Sequence, residues 1–231
     1  MKRIVKIVGF VLIAAIAISL VVMLRPFVDR DAAATNPVPM AESLLLPEQS
    51  DSLRKYIETQ ADPIDAFVVL RGEAIVMHYG EIDVPMNLAS ARKSVVSLLF
   101  GIASDRGLID LHETLGELGI DESRIPLTQI EKRATVEHLL QSRSGVYLQS
   151  GAETVENKEG RPGRGQFAPG DNYFYNNWDF NVLGAIFETK TGLSIGEAMD
   201  TWLAAPLGMQ DFSSEHVLWR FRLMRSHGSG A

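Results

Sequence analysis

Residues 66–80 read AFVVLRGEAIVMHYG, two runs rich in β-branched and other apolar residues on either side of Arg71-Gly72-Glu73. This is the pattern of an antiparallel hairpin closed by a tight turn. Two strands alone are marginal in water, and a hairpin needs a third strand or a covering helix to persist. The stretch that follows, NLASARKSVVSLLFGI from Asn87 to Ile102, supplies a helix pattern, with Gly107 placed to end it. From Leu108 onward the chain offers helical segments and loops but no second strong strand pair. The residues therefore predict an α+β fold whose sheet is incomplete.

Composition removes several functional classes. Hydrophobic residues make up 46% of the 231-residue chain and charged residues 22%, close to globular averages, so neither wholesale disorder nor a multi-span membrane protein is expected. A formal net charge of −7 leaves no basic surplus to displace counterions from a phosphate backbone, and no nucleic-acid partner is expected. The chain has no cysteine, which removes disulfides, thiolate nucleophiles and thiolate metal sites together. His78, His112 and His138 show no metal-ligand spacing, so ordinary surface or core roles are expected, with no metal and no cofactor. Nothing in the sequence indicates an oligomeric state.

Residues 1–31 read differently from the rest. Lys2, Arg3 and Lys6 precede an apolar run from Ile7 to Leu24 that is closed by Arg25 and Pro26. A helix over residues 7–24 would be about 27 Å long, just enough to cross a bilayer core. Length favours a retained signal anchor, whereas Ala32-Ala33-Ala34 would suit cleavage of a signal peptide. Either route puts the remaining chain at the cell membrane on the exported side, periplasmic or extracellular. Residues 32–48 carry three prolines and no period, the pattern of a linker. The folded part is then expected over 49–231, opening with a short amphipathic helix from Ser50 to Thr59 that carries Leu53, Tyr56 and Ile57. Further on, GRPGRG at 160–165 follows no strand and opens no helix pattern, so it reads as a solvated loop rather than a phosphate cradle.

Ser90 and Lys93 stand where the chain turns apolar. With a helix beginning near Ala89 and Asn87 as its N-cap, the two are i and i+3 and share a face. The backbone N–H groups of a helix start favour a developing oxyanion. A lysine among Val95, Val96, Leu98 and Leu99 would be partly desolvated, which makes its neutral, proton-accepting form accessible. A base beside a hydroxyl makes a nucleophile. The spacing alone is weak, since Ser-x-x-Lys arises by chance about once in a chain of this size. It occurs a second time at Ser52-Leu53-Arg54-Lys55, where a polar helix would leave the lysine solvated, and Ser52 reads as structural. For Ser90 and Lys93 the plain alternative is a helix cap followed by a lysine that snorkels to water.

Farther along, FAPGDNYFYNNWDFNVLGAIFETKTG from Phe167 to Gly192 places Tyr175-Asn176-Asn177 before a helix-like run. With Ser90-x-x-Lys93, this resembles the serine β-lactamase and penicillin-binding-protein superfamily, in particular class C β-lactamases, DD-peptidases and related esterases. Asn181 to Glu188 (NVLGAIFE), Leu98 to Asp110 (LLFGIASDRGLID), His138 to Val146 (HLLQSRSGV) and Ala205 to Met209 (APLGM) are similar to family landmarks in the same order. The resemblance covers roughly Asp65 to Phe212. It implies the β-lactamase/DD-peptidase-like fold, an antiparallel sheet flanked by helices with a helical subdomain. It also implies that Ser90 is the acylated nucleophile, Lys93 its proton partner, Tyr175 the general base or proton shuttle, and Asn177 a hydrogen-bond donor to Lys93 or the substrate amide.

The family's third motif, Lys-Thr-Gly or His-x-Gly on a strand, has no match. Thr189-Lys190-Thr191-Gly192 contains the letters but stands where a helix ends, with Gly192 as its cap. The tail from Trp219 loses apolar periodicity where the family continues into further helices and three closing strands, so a C-terminally shortened domain is expected. Losing one oxyanion donor with the missing strand would cost about 10²–10³ in rate. The leading expectation is a serine hydrolase acting through an acyl-enzyme on an amide or ester: a β-lactam, a D-alanyl peptide or a small ester or amide. The competing one is an inactive remnant or a non-catalytic module binding β-lactams or peptidoglycan.

Overall fold

The structure, a computed structural model, describes residues 46–59, 63–151 and 153–217. The apolar run at 7–24, nearly all of the expected linker and the tail beyond 217 lie outside the described residues. Among the described residues no helix is long and apolar enough to cross a membrane. The chain divides after Asn87 into two compact units.

The first unit holds helix α1, Pro47–Thr59, and the hairpin β1, Ala66–Arg71, with β2, Ala74–Gly80. Helix α1 starts ahead of the expected Ser50 and takes in the last two residues assigned to the linker. Proline has its φ preset for a first helical turn and lacks an N–H that would go unpaired there anyway. The Gln49 side chain reaches back to accept the Leu46 N–H at 2.9 Å. Of the expected apolar face only Ile57 is buried, while Tyr56 is 58% exposed. Ser52 and Lys55 are both exposed on this helix.

The hairpin forms as expected, with Arg71 opposite Ala74 and a two-residue turn at Gly72-Glu73. Gly72 has φ +60° and no other residue of the turn has a positive φ, the pattern of a turn with glycine in its first central position, whose twist matches that of the strands. The register shifts between Val69 and Leu70, which pair with Met77 and Ile75. Val76 is thus the extra residue of a bulge. Among the described residues these two strands are the whole sheet, with one isolated bridge between Thr114 and Thr135 elsewhere.

The second unit is helical. A 3₁₀ turn, Ala89–Ala91, runs directly into α2, Arg92–Asp105, and is followed by the short helices α3, Val136–Leu140, and α4, Val155–Glu159. The longest helix, α5, spans Asn177–Thr191, and α6, Ile195–Ala198, continues into a π turn at Met199–Ala204. The expected cap of the nucleophile helix is corrected: the residue at the N-cap position of the 3₁₀ turn is Leu88, whose side chain makes no capping hydrogen bond. The reason is local, because Ala89 has φ +45°, a left-handed kink that prevents a helical run from Asn87.

Apolar periodicity then builds the core. Val182, Leu183, Ile186 and Phe187 of α5 are at most 1% exposed, as are Leu99, Phe100 and Ala103 of α2. Phe187 is the hub: its ring lies 5.6 Å from Phe100 and 5.6 Å from Trp202 in tilted and edge contacts, geometries that aromatic quadrupoles favour. Gly192, at φ +72°, caps α5 by donating to the Glu188 carbonyl, so Lys190-Thr191-Gly192 is a helix end as expected.

The 160–165 segment is a loop with Gly160, Gly163, Arg164 and Gly165 exposed, as expected, and both of its arginines are paired. Arg161 pairs with Glu153, and Arg164 makes a two-pronged contact with the buried Glu131 at 2.9 and 2.7 Å. Burial pushes the Glu131 carboxyl up, but the Arg164 guanidinium and the Thr128 donors outweigh it and hold the group below its usual value. His138 also finds a structural role, since its Nδ1 accepts the Thr135 N–H in a capping box on α3.

Truncating the hub should be costly where truncating the exposed ring is not. Phe187→Ala is expected to lower unfolding free energy by about 3–5 kcal/mol, and Tyr56→Ala by no more than about 0.5 kcal/mol. Urea unfolding of the two variants measures both, and equal losses would contradict this placement of the core.

Candidate active site

All four residues singled out by the sequence lie in the second unit, and the structure brings them together. The 3₁₀ turn nearly eclipses residues three apart, so Lys93 stands over Ser90, and its Nζ donates to Ser90 Oγ at 3.0 Å. The same nitrogen donates to Tyr175 Oη at 2.6 Å and to Asn177 Oδ1 at 2.9 Å. It also lies 4.5 Å from the Tyr175 ring centre and 5.3 Å from that of Phe180. Three N–H bonds meet three oxygens.

Tyr175 and Asn177 reach this point because Asn176 between them is extended, with φ −125° and ψ 123°. Alternate residues of an extended segment project to the same side. Asn176 projects the other way and is buried. There its Oδ1 accepts the Trp178 N–H at 3.0 Å, capping α5, and its Nδ2 donates to the Val146 carbonyl at 2.7 Å. Trp178 in turn donates its indole N–H to Glu122 at 2.7 Å.

The expected surroundings of Lys93 are corrected. Leu99 turns into the core and Leu98 is 59% exposed, while the ammonium end is encircled by oxygens and ring faces rather than by an apolar pocket. The helix explains this, because residues five and six positions beyond Lys93 lie on other faces. The group tuned by this arrangement is Tyr175. Partial burial pushes its phenol up, but hydrogen bonds from Lys93 and Ser90 and the positive charges of Lys93 and Arg92 outweigh it, leaving the phenol below its ordinary value. A proton acceptor is thereby poised beside a serine hydroxyl. The backbone contributes as well, since Ala89 at φ +45° holds a non-glycine residue in a sparsely populated region directly before Ser90. Such strain persists where the surroundings over-determine it.

Sequence reasoning missed Asn176, Arg92, Ser144 and Asp179. Asn176 carried a signal, an N-cap residue directly before a helical run. So did Asp179, which falls on the apolar stripe with Val182, Leu183 and Ile186. Ser52 carried a false signal, since it shares no hydrogen bond with Lys55 and lies in the other unit. Among the described residues no three His, Asp or Glu side chains gather as a metal site.

Two solved structures share the architecture. FmtA from Staphylococcus aureus aligns over 80% of this chain and 55% of its own, with TM-score 0.52 and 17% identity. A candidate β-lactamase from Bacteroides dorei aligns over 71% of this chain and 52% of its own, with TM-score 0.52 and 20% identity. The fold is that of the serine β-lactamase and penicillin-binding-protein superfamily. The Beta-lactamase family pattern matches residues 53–217, a span that includes Ser90, Lys93, Tyr175 and Asn177, and the chain belongs to that family. Monacolin J acid methylbutanoyltransferase of Aspergillus terreus is 28% identical over 161 residues, 58% of this chain and 38% of that protein. The chain thus spans about two fifths of the length of the curated relatives it matches.

The electrostatics make a direct prediction. The absorbance change near 295 nm that is lost in Tyr175→Phe should titrate below the ordinary tyrosine value of about 10. In Lys93→Met, which removes the largest of the three lowering partners Lys93, Ser90 and Arg92, it should move back up. A Tyr175 titration indifferent to Lys93 would show that the 2.6 Å contact does not tune the phenol.

Proposed function

We propose that the chain acts by serine acyl transfer: Ser90 forms an acyl-enzyme with a substrate carrying an amide or ester bond, and water or an acceptor then releases the acyl group. The observation that carries this reading is the single nitrogen, Lys93 Nζ, within 2.6–3.0 Å of Ser90 Oγ, Tyr175 Oη and Asn177 Oδ1. Tyr175, with its phenol lowered, takes the Ser90 proton as Oγ forms a bond to the carbonyl carbon. The collapse of the tetrahedral intermediate breaks the carbon–nitrogen or carbon–oxygen bond, and the proton passes from Tyr175 to the leaving group. Lys93 stabilises the phenolate by charge and by its short hydrogen bond. In the second half the Tyr175 phenolate takes a proton from water or an alcohol as that oxygen bonds to the acyl carbon, and collapse breaks the Ser90 ester bond while Ser90 Oγ takes the proton back. Asn177 fixes Lys93 and presents its amide N–H toward a bound substrate.

Membership of the β-lactamase family supports amide or ester substrates, among them β-lactams, D-alanyl peptides and small esters or amides. The Aspergillus terreus relative is named for transfer of a methylbutanoyl group, which supports release to an acceptor alongside hydrolysis. The proposal keeps the domain on the exported side of a membrane, anchored through residues 7–24.

A fluorescent fluorophosphonate, which forms a stable bond only with an activated serine, tests the reading on the full chain in membranes. Labelling should persist in Ser52→Ala, vanish in Ser90→Ala, and slow by about 10²–10⁴ in Tyr175→Phe. An unlabelled chain that is present and folded would overturn the proposal in favour of a non-catalytic module that binds β-lactams or peptidoglycan.

A further inference from the structure

Beneath the Lys93 centre lies a buried carboxyl that the acyl-transfer chemistry leaves unused. Asp179, in the first turn of α5, is 1% exposed, and its Oδ1 accepts the Ser144 hydroxyl at 2.7 Å. Ser144 is itself buried, and its Oγ accepts the Val146 N–H at 3.0 Å. The Val146 carbonyl receives Asn176 Nδ2, so the loop and the start of α5 are joined on both sides of the peptide. Two more carbonyls of the same loop accept from the segment leading to Tyr175. Phe174 N–H bonds Ser142 at 2.9 Å, and Gly170 N–H bonds Arg143 at 2.8 Å.

The loop is held under constraint. Ser142 has φ +54°, a conformation unfavourable for a residue with a Cβ. Gly145, at φ +70°, runs so close to residues 167–169 that a Cβ would lie 3.0 Å from the Phe167 carbonyl oxygen and the Pro169 nitrogen. Tyr147 then packs edge-on to Phe174 at 5.8 Å. A backbone bent this way needs specific partners to hold it, and the Ser144–Asp179 bond is the one that fastens it to α5 two residues beyond Asn177.

We propose that Asp179 is a positioning residue: through Ser144 it locks the 142–146 loop to the start of α5 and so sets Tyr175 and Asn177 at hydrogen-bonding distance from Lys93. The inference rests on the acyl-transfer reading. Its physical motive is the cost of the residue. Asp179 stands on an otherwise apolar stripe, pairs with no cation among the described residues, and leaves Oδ2 without a hydrogen bond. A well-packed apolar residue would be neutral or stabilising there, so the carboxyl opposes stability in return for a fixed geometry.

Burial favours the neutral form of this carboxyl. Burial pushes it well above the usual carboxylate range, and the Ser144 bond offsets only part of this. The native state then holds a proton that the unfolded chain releases near pH 4. The stabilisation linked to this proton is complete below that pH and is lost as pH rises toward the raised folded value. Asp179→Asn, uncharged at every pH, should flatten that slope.

The test reads Tyr175 directly. In Asp179→Ala and Ser144→Ala the Tyr175 titration near 295 nm, isolated by subtracting the corresponding Tyr175→Phe chain, should move up toward that of an ordinary tyrosine. Fluorophosphonate labelling should slow by about 10- to 100-fold, as a small misplacement of reacting groups would produce. Asp179→Asn, which keeps an oxygen for Ser144, should rescue both. A purely structural role would lower the melting temperature and leave the phenol untouched. The proposal falls if the titration keeps its wild-type midpoint in both Ser144→Ala and Asp179→Ala. Should the alanine at 179 prevent folding, Ser144→Ala, which removes one hydrogen bond, decides alone. Absence of labelling in the wild type would sink the acyl-transfer reading, while the titration still decides the role of Asp179.

Discussion

One ammonium group ties the second unit together. Lys93 leaves α2 and meets two side chains from the start of α5, so a single nitrogen joins the helix that carries Ser90 to the segment that carries Tyr175 and Asn177. A charged donor on three neutral oxygens makes stronger hydrogen bonds than neutral pairs would, and it gives the site a definite geometry rather than a range of contacts. The two aromatic faces beside it add a weaker attraction without adding acceptors. The consequence reaches Tyr175, whose lowered phenol depends on the same nitrogen. Position and reactivity therefore have one source.

That ammonium needs rigid walls, and both are built from buried polar groups on an apolar core. Helices α2 and α5 meet through Phe100 and Phe187, which fixes their separation. The polar frame of Asn176, Ser144 and Asp179 then fixes the rotation and entry of α5. The two systems contribute differently. Apolar burial stabilises without directional preference, whereas a buried hydrogen bond adds little net stability but penalises every arrangement that breaks it. Among the described residues the two non-glycine residues with positive φ are Ala89, directly before Ser90, and Ser142, in the loop that Ser144 bonds to Asp179.

How much of this was legible depended on whether the signal was local. The hairpin was readable because its turn glycine and flanking strands lie within residues 66–80, and α5 because its apolar period runs unbroken to a capping Gly192. The four site residues emerged from spacing together with family resemblance. The helical run begins at Ala89 as expected, but its N-cap was misplaced because a left-handed alanine leaves no compositional trace. The polar environment of Lys93 was misread because its oxygen partners Tyr175 and Asn177 come from more than eighty positions away, and a lysine's neighbours in sequence say little about what its long side chain reaches. The pairing of Arg164 was not legible because its partner Glu131 lies 33 positions earlier.

The proton path and the choice of acyl acceptor separate in this architecture. In the proposed acyl transfer Tyr175 takes a proton from Ser90 and later one from an incoming hydroxyl, because Lys93 stabilises the phenolate without itself having to change position. In the proposed reaction water and an alcohol present the same O–H to the phenolate, so the Lys93 centre would serve hydrolysis and transfer alike. Preference between them must come from groups that hold an acceptor or exclude water around Ser90, which is exposed. The proposed reaction divides in the same way: the tightly framed nitrogen would set the chemistry of acylation, and the exposed surface around the serine would set what receives the acyl group.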